Sequence, residues 1–222
     1  TFGKYLFIPA SINPYYYFNS DNRKKLTFNY AVDYYMYKQT GRNRLYNELG
    51  FSYRFSEHFS LGYSGRSDIS NQEKGFVGNQ NSNIYIGTRN RATLTNSLIS
   101  KYTINNKMSL NFNLRHYYTE INYKDFGILM DDGRVSPVDN YTAANKTYNT
   151  WNIDLRYAWY FAPGSQLTLL YQNAVQNYLN YSKINFRDNF KNLFNEPMNN
   201  TLSLKITYYI DYNSVRNLLD KK

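Results

Sequence analysis

Across several stretches of this chain every second residue is apolar and the residues between are polar. From Leu26 one phase reads Leu26, Phe28, Tyr30, Val32, Tyr34 and Met36, and the other Lys25, Thr27, Asn29, Ala31, Asp33 and Tyr35. From Trp151 the apolar phase reads Trp151, Ile153, Leu155, Tyr157, Trp159 and Phe161, set against Asn152, Asp154, Arg156, Ala158 and Tyr160. Successive side chains of a β-strand point to opposite faces, so each stretch predicts a strand with one apolar and one polar face. These stretches exceed the usual strand of about 5–6 residues. Long two-faced strands of this kind fit the wall of an outer-membrane β-barrel, apolar toward lipid and polar toward a lumen.

Composition bears on that reading at three points. Aromatics make up 19% of the chain, with 26 Tyr, 14 Phe and 2 Trp. Tyr and Trp favour membrane–water interfaces, where the ring is apolar and its tip is wet. No run approaches the roughly 20 apolar residues of a spanning helix. The formal charge is +10, but the basic residues are spread along strands and turns and form no patch that would track a nucleic acid. With 0 Cys there is no disulfide framework and no thiolate metal site.

About nine strands can be phased along the chain. The first lies irregularly within residues 4–19 and contains Pro9 and Pro14, which suits an edge. Further strands are predicted over residues 24–38 and 44–55, and from Phe59, Leu94, Met108, Trp151, Leu167 and Leu202 onward. Residues 20–22, 56–58, 105–107 and 162–165 make short turns, the last of the Pro-Gly kind. Polar loops are expected near residues 67–83, 124–147 and 179–198. Short turns alternating with long loops suit a barrel with periplasmic turns and extracellular loops. In the strands as phased, the apolar side carries no charge. The polar side carries Lys25, Arg44, Arg54, Lys101, Arg115, Arg156 and Lys205 against Asp33, Glu48 and Asp154. A soluble sandwich would share the periodicity. Strand length, aromatic stripe ends and alternating turns favour the barrel. The pattern is already under way at Lys4, so the fold class expected is an antiparallel transmembrane β-barrel of which residues 1–212 form the C-terminal part. Residues 213–222 would be a short periplasmic tail, with Val215, Leu218 and Leu219 at helical spacing.

No catalytic, cofactor or metal residues are assigned, no cofactor is expected, and the chain is read as non-enzymatic. His58 and His116 belong to opposite strand ends, which argues against a paired-His metal site or a Ser-His-Asp arrangement. Asp131-Asp132-Gly133 reads first as a turn tip, and with Asp125 and Asp139 as an alternative cation seed. Phe186, Phe190 and Phe194 recur at a spacing of one helical turn. That helix would pack over the barrel mouth or dock a partner. The basic excess on the polar face would favour anionic solutes in a channel, or else is neutralised by carboxylates on strands outside this sequence.

The segments 159–167 (Trp-Tyr-Phe-Ala-Pro-Gly-Ser-Gln-Leu), 200–212 (Asn-Thr-Leu-Ser-Leu-Lys-Ile-Thr-Tyr-Tyr-Ile-Asp-Tyr) and 129–134 (Leu-Met-Asp-Asp-Gly-Arg) resemble the C-terminal barrel of a Bacteroidota family of unknown function. Its members carry an N-terminal family-9-like carbohydrate-binding module. The similarity runs through most of the chain and is densest after Thr147. These motifs are turns and strand ends, so no site residue is carried over. The resemblance implies an outer-membrane protein that anchors or serves that module at the cell surface, or passes solute. The alternative is an accessory subunit of a larger outer-membrane complex. Expected partners are lipid and lipopolysaccharide, other outer-membrane proteins through extracellular loops, and glycans through the upstream module, with no nucleic acid.

Overall fold

Strands form where the alternation predicts them, and then run further. The computed structural model describes residues 3–181 and 186–210. The described strands are β1 (Ser11–Ile12), β2 (Tyr15–Asn19), β3 (Leu26–Tyr37), β4 (Asn43–Arg54), β5 (Phe59–Gln80), β6 (Asn83–Asn105), β7 (Met108–Leu129), β8 (Val135–Val138), β9 (Lys146–Ala162), β10 (Ser165–Leu179) and β11 (Asn199–Thr207). One helix, α1 (Phe186–Leu193), lies between β10 and β11. Pro14 separates β1 from β2, and both pair with β3, so the irregular proline-bearing start is an edge.

All eleven strands belong to one antiparallel sheet, ordered β1-β3-β4-β5-β6-β7-β9-β10-β11, with β2 beside β3 and β8 beside β7. Among the described residues β11 pairs with β10 alone, and β1 and β2 pair only with β3. The sheet is therefore open, and the expected transmembrane barrel is corrected to an open antiparallel sheet. Alternation assigns residues to faces; closure additionally needs the first and last strands to pair, and nothing in a strand's own period encodes that. The outer-membrane location and the periplasmic C-terminus rested on closure and lose that basis. So do the lipid, lipopolysaccharide, outer-membrane-protein and glycan partners, and the surface-anchor or solute-passage role. No helix among the described residues is long and apolar enough to cross a membrane, a statement about helices only. The predicted 213–222 tail lies outside the described residues.

The loop pattern changes too. The stretch expected as a polar loop over 67–83 is the upper half of a tall hairpin. Strands β5, β6 and β7 have 22, 23 and 22 residues, about 70 Å at roughly 3.3 Å per residue. Asn81 and Ser82 close β5 to β6 with φ of 48° and 63°, the paired positive φ of a tight hairpin turn. A bulge between Ser70 and Glu73 puts Gln72 at φ 51° and breaks the alternation there. The expected 124–147 loop holds the end of β7, all of β8 and the start of β9.

The sheet has two unlike faces. One carries the apolar phase, with Phe28, Phe51, Tyr63, Leu98, Leu114 and Ile153 in cross-strand register and Tyr157, Leu169 and Leu204 in register two rungs away. The other carries the charged phase. Near the tall end Ile84, Ile86 and Leu129 form a small buried cluster with Leu6 and Val135 against it. Residues 4–10 strap this end together. Phe7 N–H donates to Gly133 O at 2.8 Å, and Lys38 N–H donates to Ala10 O at 2.9 Å.

Candidate functional site

Two polar constellations stand out, one on each face. On the charged face, register brings arginines and carboxylates from three strands together. Glu73 and Asp68 lie on β5, Arg89 and Arg91 on β6, and Arg44 on β4. Arg44 grips Asp68 with two hydrogen bonds of 2.9 Å. Arg91 donates from Nε to Glu73 at 2.8 Å, and its Nη2 stands 3.4 Å from Asp68. Arg89 reaches the other oxygen of Glu73 at 3.3 Å. Gly75 makes room for this, since a Cβ there would run into the Arg89 guanidinium. Two further pairs, Arg66–Glu48 and Arg115–Asp154, extend the ladder along the face. Of the basic residues expected on that face, Arg44 and Arg115 pair with carboxylates of this same chain.

Burial works to raise the Asp68 carboxyl, but Arg44 and Arg91 outweigh it and hold the group below the usual carboxylate range. A carboxyl depressed in the folded state stabilises fully above its unfolded value of about 3.9. That contribution disappears as pH falls through the lower folded value. Melting temperature should therefore drop between pH 5 and pH 3, and Asp68→Asn should flatten that part of the decline.

On the apolar face a short relay crosses four strands. Tyr63 donates to Asn96 Oδ1 at 2.6 Å, Asn96 Nδ2 lies 3.2 Å from His116 Nδ1, and His116 Nε2 lies 2.8 Å from Asn149 Oδ1. These contacts suit a neutral imidazole with its proton on Nε2. His116 sits on the apolar phase as expected, but it is 2% exposed because α1 covers it. Phe186 and Phe190 meet its ring edge-on at 5.7 and 5.2 Å, and Phe190 and Phe194 pack on Trp151. Leu193 and Val175 are fully buried beside them. The phenylalanine spacing does make a helix, but the helix lies on the apolar face and covers no barrel mouth. Burial pushes the His116 pKa down, and the bond to Asn149 partly offsets this.

The remaining sequence candidates do not converge. His58 sits exposed in the turn between β4 and β5. Asp131 and Asp132 occupy the β7–β8 turn, with Gly133 at φ 82°. Lys4 pairs with Asp131 at 2.7 Å, and Asp132 accepts from the Arg134 N–H at 2.9 Å. No group of three His, Cys, Asp or Glu among the described residues is placed to hold a metal ion. Sequence reasoning missed Arg42, Asp68, Glu73, Arg89 and Arg91, because they sat in or beside segments read as turn or loop.

The family described as a domain of unknown function, DUF5916, matches residues 1–219. The chain belongs to that family. The match brings no barrel, no carbohydrate-binding module and no Bacteroidota assignment, so the resemblance drawn from the turns and strand ends is corrected to DUF5916 alone. No curated protein and no solved structure matches the chain.

Proposed function

We propose that this DUF5916 chain works without catalysis, as a sheet module that joins a larger β-assembly by accepting a strand along β11. The observation that carries this is the state of that edge. Strand β11 runs nine residues without a bulge or a proline, and Lys205 is its one charge. Natural edges are usually blunted by lysines, prolines, bulges or covering segments. The opposite edge has such protection, since Pro14 interrupts it between β1 and β2. On β11 the side chains of Leu202, Leu204 and Ile206 are 69%, 62% and 60% exposed. A strand with the same alternation would pair its backbone with β11 and carry the apolar face onward. Among the described residues that face leaves Leu49, Phe51, Tyr53 and Leu169 exposed, as surfaces meant for contact do. Against catalysis stands the relay itself, in which both ring nitrogens of His116 are engaged beneath α1.

A synthetic peptide with the sequence of residues 199–207 tests this, because it carries the required alternation. It should slow amide exchange along β11 at least several-fold. A peptide with lysine at the three apolar positions should not, and neither should the native peptide added to a Leu202→Lys, Leu204→Lys chain. Unchanged exchange with the native peptide, at concentrations up to millimolar, would sink the proposal.

A further inference from the structure

The two edges of the sheet differ in what they can offer another strand. At one, Pro14 divides the border into β1, of two residues, and β2, of five. Proline lacks the N–H that a ladder needs. The other edge is β11, whose nine residues pair with β10 without a register shift from Asn199↔Ala174 to Thr207↔Gln166. Among the described residues this is the edge that can present a long, unbroken strand to a partner.

The sequence of β11 is matched to itself. Leu202, Leu204 and Ile206 share the apolar face, and Thr201, Ser203, Lys205 and Thr207 share the other. A second β11 laid antiparallel about Leu204 puts Leu204 opposite Leu204, Leu202 opposite Ile206, Thr201 opposite Thr207 and Ser203 opposite Lys205. Apolar then meets apolar and polar meets polar on every one of these rungs. The one charge of the strand meets a hydroxyl and not another lysine. Centring the pair on Lys205 would set the two ammonium groups directly opposite each other, and centring it on Ser203 would set Ile206 against Asn200. Cross-strand pairing energies therefore favour the register about Leu204.

The neighbouring strands agree with this joint. Leu204 lies beside Leu169, and Leu169 beside Tyr157. A two-fold axis normal to the sheet continues that row into the Leu204, Leu169 and Tyr157 of a second copy, with both apolar faces on one side. Helix α1 packs on Trp151, which pairs with Val175, one position beyond the Asn199↔Ala174 rung. The helix thus sits at the Asn199 end of β11, and the antiparallel copy brings its own helix to the other end.

We propose that the strand accepted along β11 is β11 of a second copy of this chain, so that the assembly is an isologous dimer. The proposal rests on the strand-accepting reading above. An isologous joint uses the same edge of both copies and closes, which removes an exposed template for open-ended pairing.

Sedimentation equilibrium of the full chain, from micromolar to millimolar concentration, should show a monomer–dimer equilibrium. Ser203→Lys sets two lysine–lysine pairs across the joint and should weaken dimerisation several-fold. Ser203→Glu sets two opposite-charge pairs and should strengthen it by a similar factor. A folding defect does not produce changes of opposite sign. Cross-linking reads the register, in a chain that has 0 Cys of its own. Leu204→Cys should form a disulfide-linked dimer under mild oxidation, because directly opposed Cα atoms stand about 4.5–5.5 Å apart. Leu202→Cys alone should not, since its counterpart would lie four residues along, roughly 14 Å away; mixed with the Ile206→Cys chain, it should. A chain that stays monomeric at millimolar concentration would overturn the proposal. So would changes of the same sign in both Ser203 variants, or Leu202→Cys cross-linking as fast as Leu204→Cys. Those results leave intact the protection of β11 by the 199–207 peptide, so self-pairing fails separately from strand acceptance; loss of that protection as well would end both.

Discussion

Replacing His116 by alanine is expected to destabilise the chain by about 3 kcal/mol and to lift α1 from the sheet. The ring stands at the centre of the helix footprint, in edge contact with Phe186 and Phe190 and tilted against Trp151. Its removal leaves a void beneath the helix and takes one hydrogen bond each from Asn96 and Asn149. Large-to-small changes in packed sites cost roughly 2–5 kcal/mol, and a lost buried polar partner adds about 1–3. Relaxation of so short a helix places the sum in the lower half of that range. Urea unfolding followed by Trp fluorescence reads the stability, and trypsin cleavage after Arg187 or Lys191 reads release of the helix. Equal cleavage and stability in the variant and the native chain would remove the relay from any structural role. The same site sets a pH window. Because burial holds the His116 pKa below its ordinary value of about 6.5, the unfolded chain takes up a proton there first. Stability from this group is complete above pH 6.5 or so and is lost as pH falls toward the folded value. Substitution by glutamine should abolish that part of the pH dependence between pH 7 and 5.

Much of the fold is legible in the alternation. The strands β3, β4, β9 and β10 start and stop close to where apolar phase and turn residues predict them, and Phe186, Phe190 and Phe194 announce α1. What is hidden has physical causes. The upper part of β5 loses its period at Gln72, where one extra residue shifts the phase, and Gly75 and Gly78 contribute no side chain to either face. The alternation therefore predicts shorter strands than form, and the tight turn at Asn81 and Ser82 reads in the sequence as part of a long loop. The apolar phase of His116 could be read, but its cover could not, because α1 arrives from a distant part of the chain. A clean apolar face says which residues share a side, and it does not say that the outer strands meet. The charged ladder is the least legible element, since Arg44, Asp68, Glu73 and Arg91 become neighbours only once three strands are in register.

That ladder gives the second large expected effect. Arg91→Met should cost about 2–3 kcal/mol, while Arg115→Met on the same face should cost less than about 1. The difference comes from environment and from partners. Arg91 bonds Glu73, Asp68, Thr93 and Ser70, and its side chain is 22% exposed. Among the described residues Arg115 pairs with Asp154 alone, at 3.2 Å, and is 59% exposed, where solvent screens the pair and side-chain freedom is lost to hold it. Methionine keeps most of the packing volume at position 91, so the loss isolates the charge contacts. It does not reach the full 3–5 kcal/mol of a broken buried pair, because Asp68 retains Arg44 and Glu73 retains Arg89. A double-mutant cycle of Arg91→Met with Glu73→Gln should return a coupling of about 1–2 kcal/mol. It should shrink only modestly when salt is raised to 0.5 M, since half-buried pairs are screened less than exposed ones. A coupling near zero, or equal costs at positions 91 and 115, would mean that the ladder neutralises charge without holding β4, β5 and β6 together. The charged face would then owe its order to backbone pairing alone.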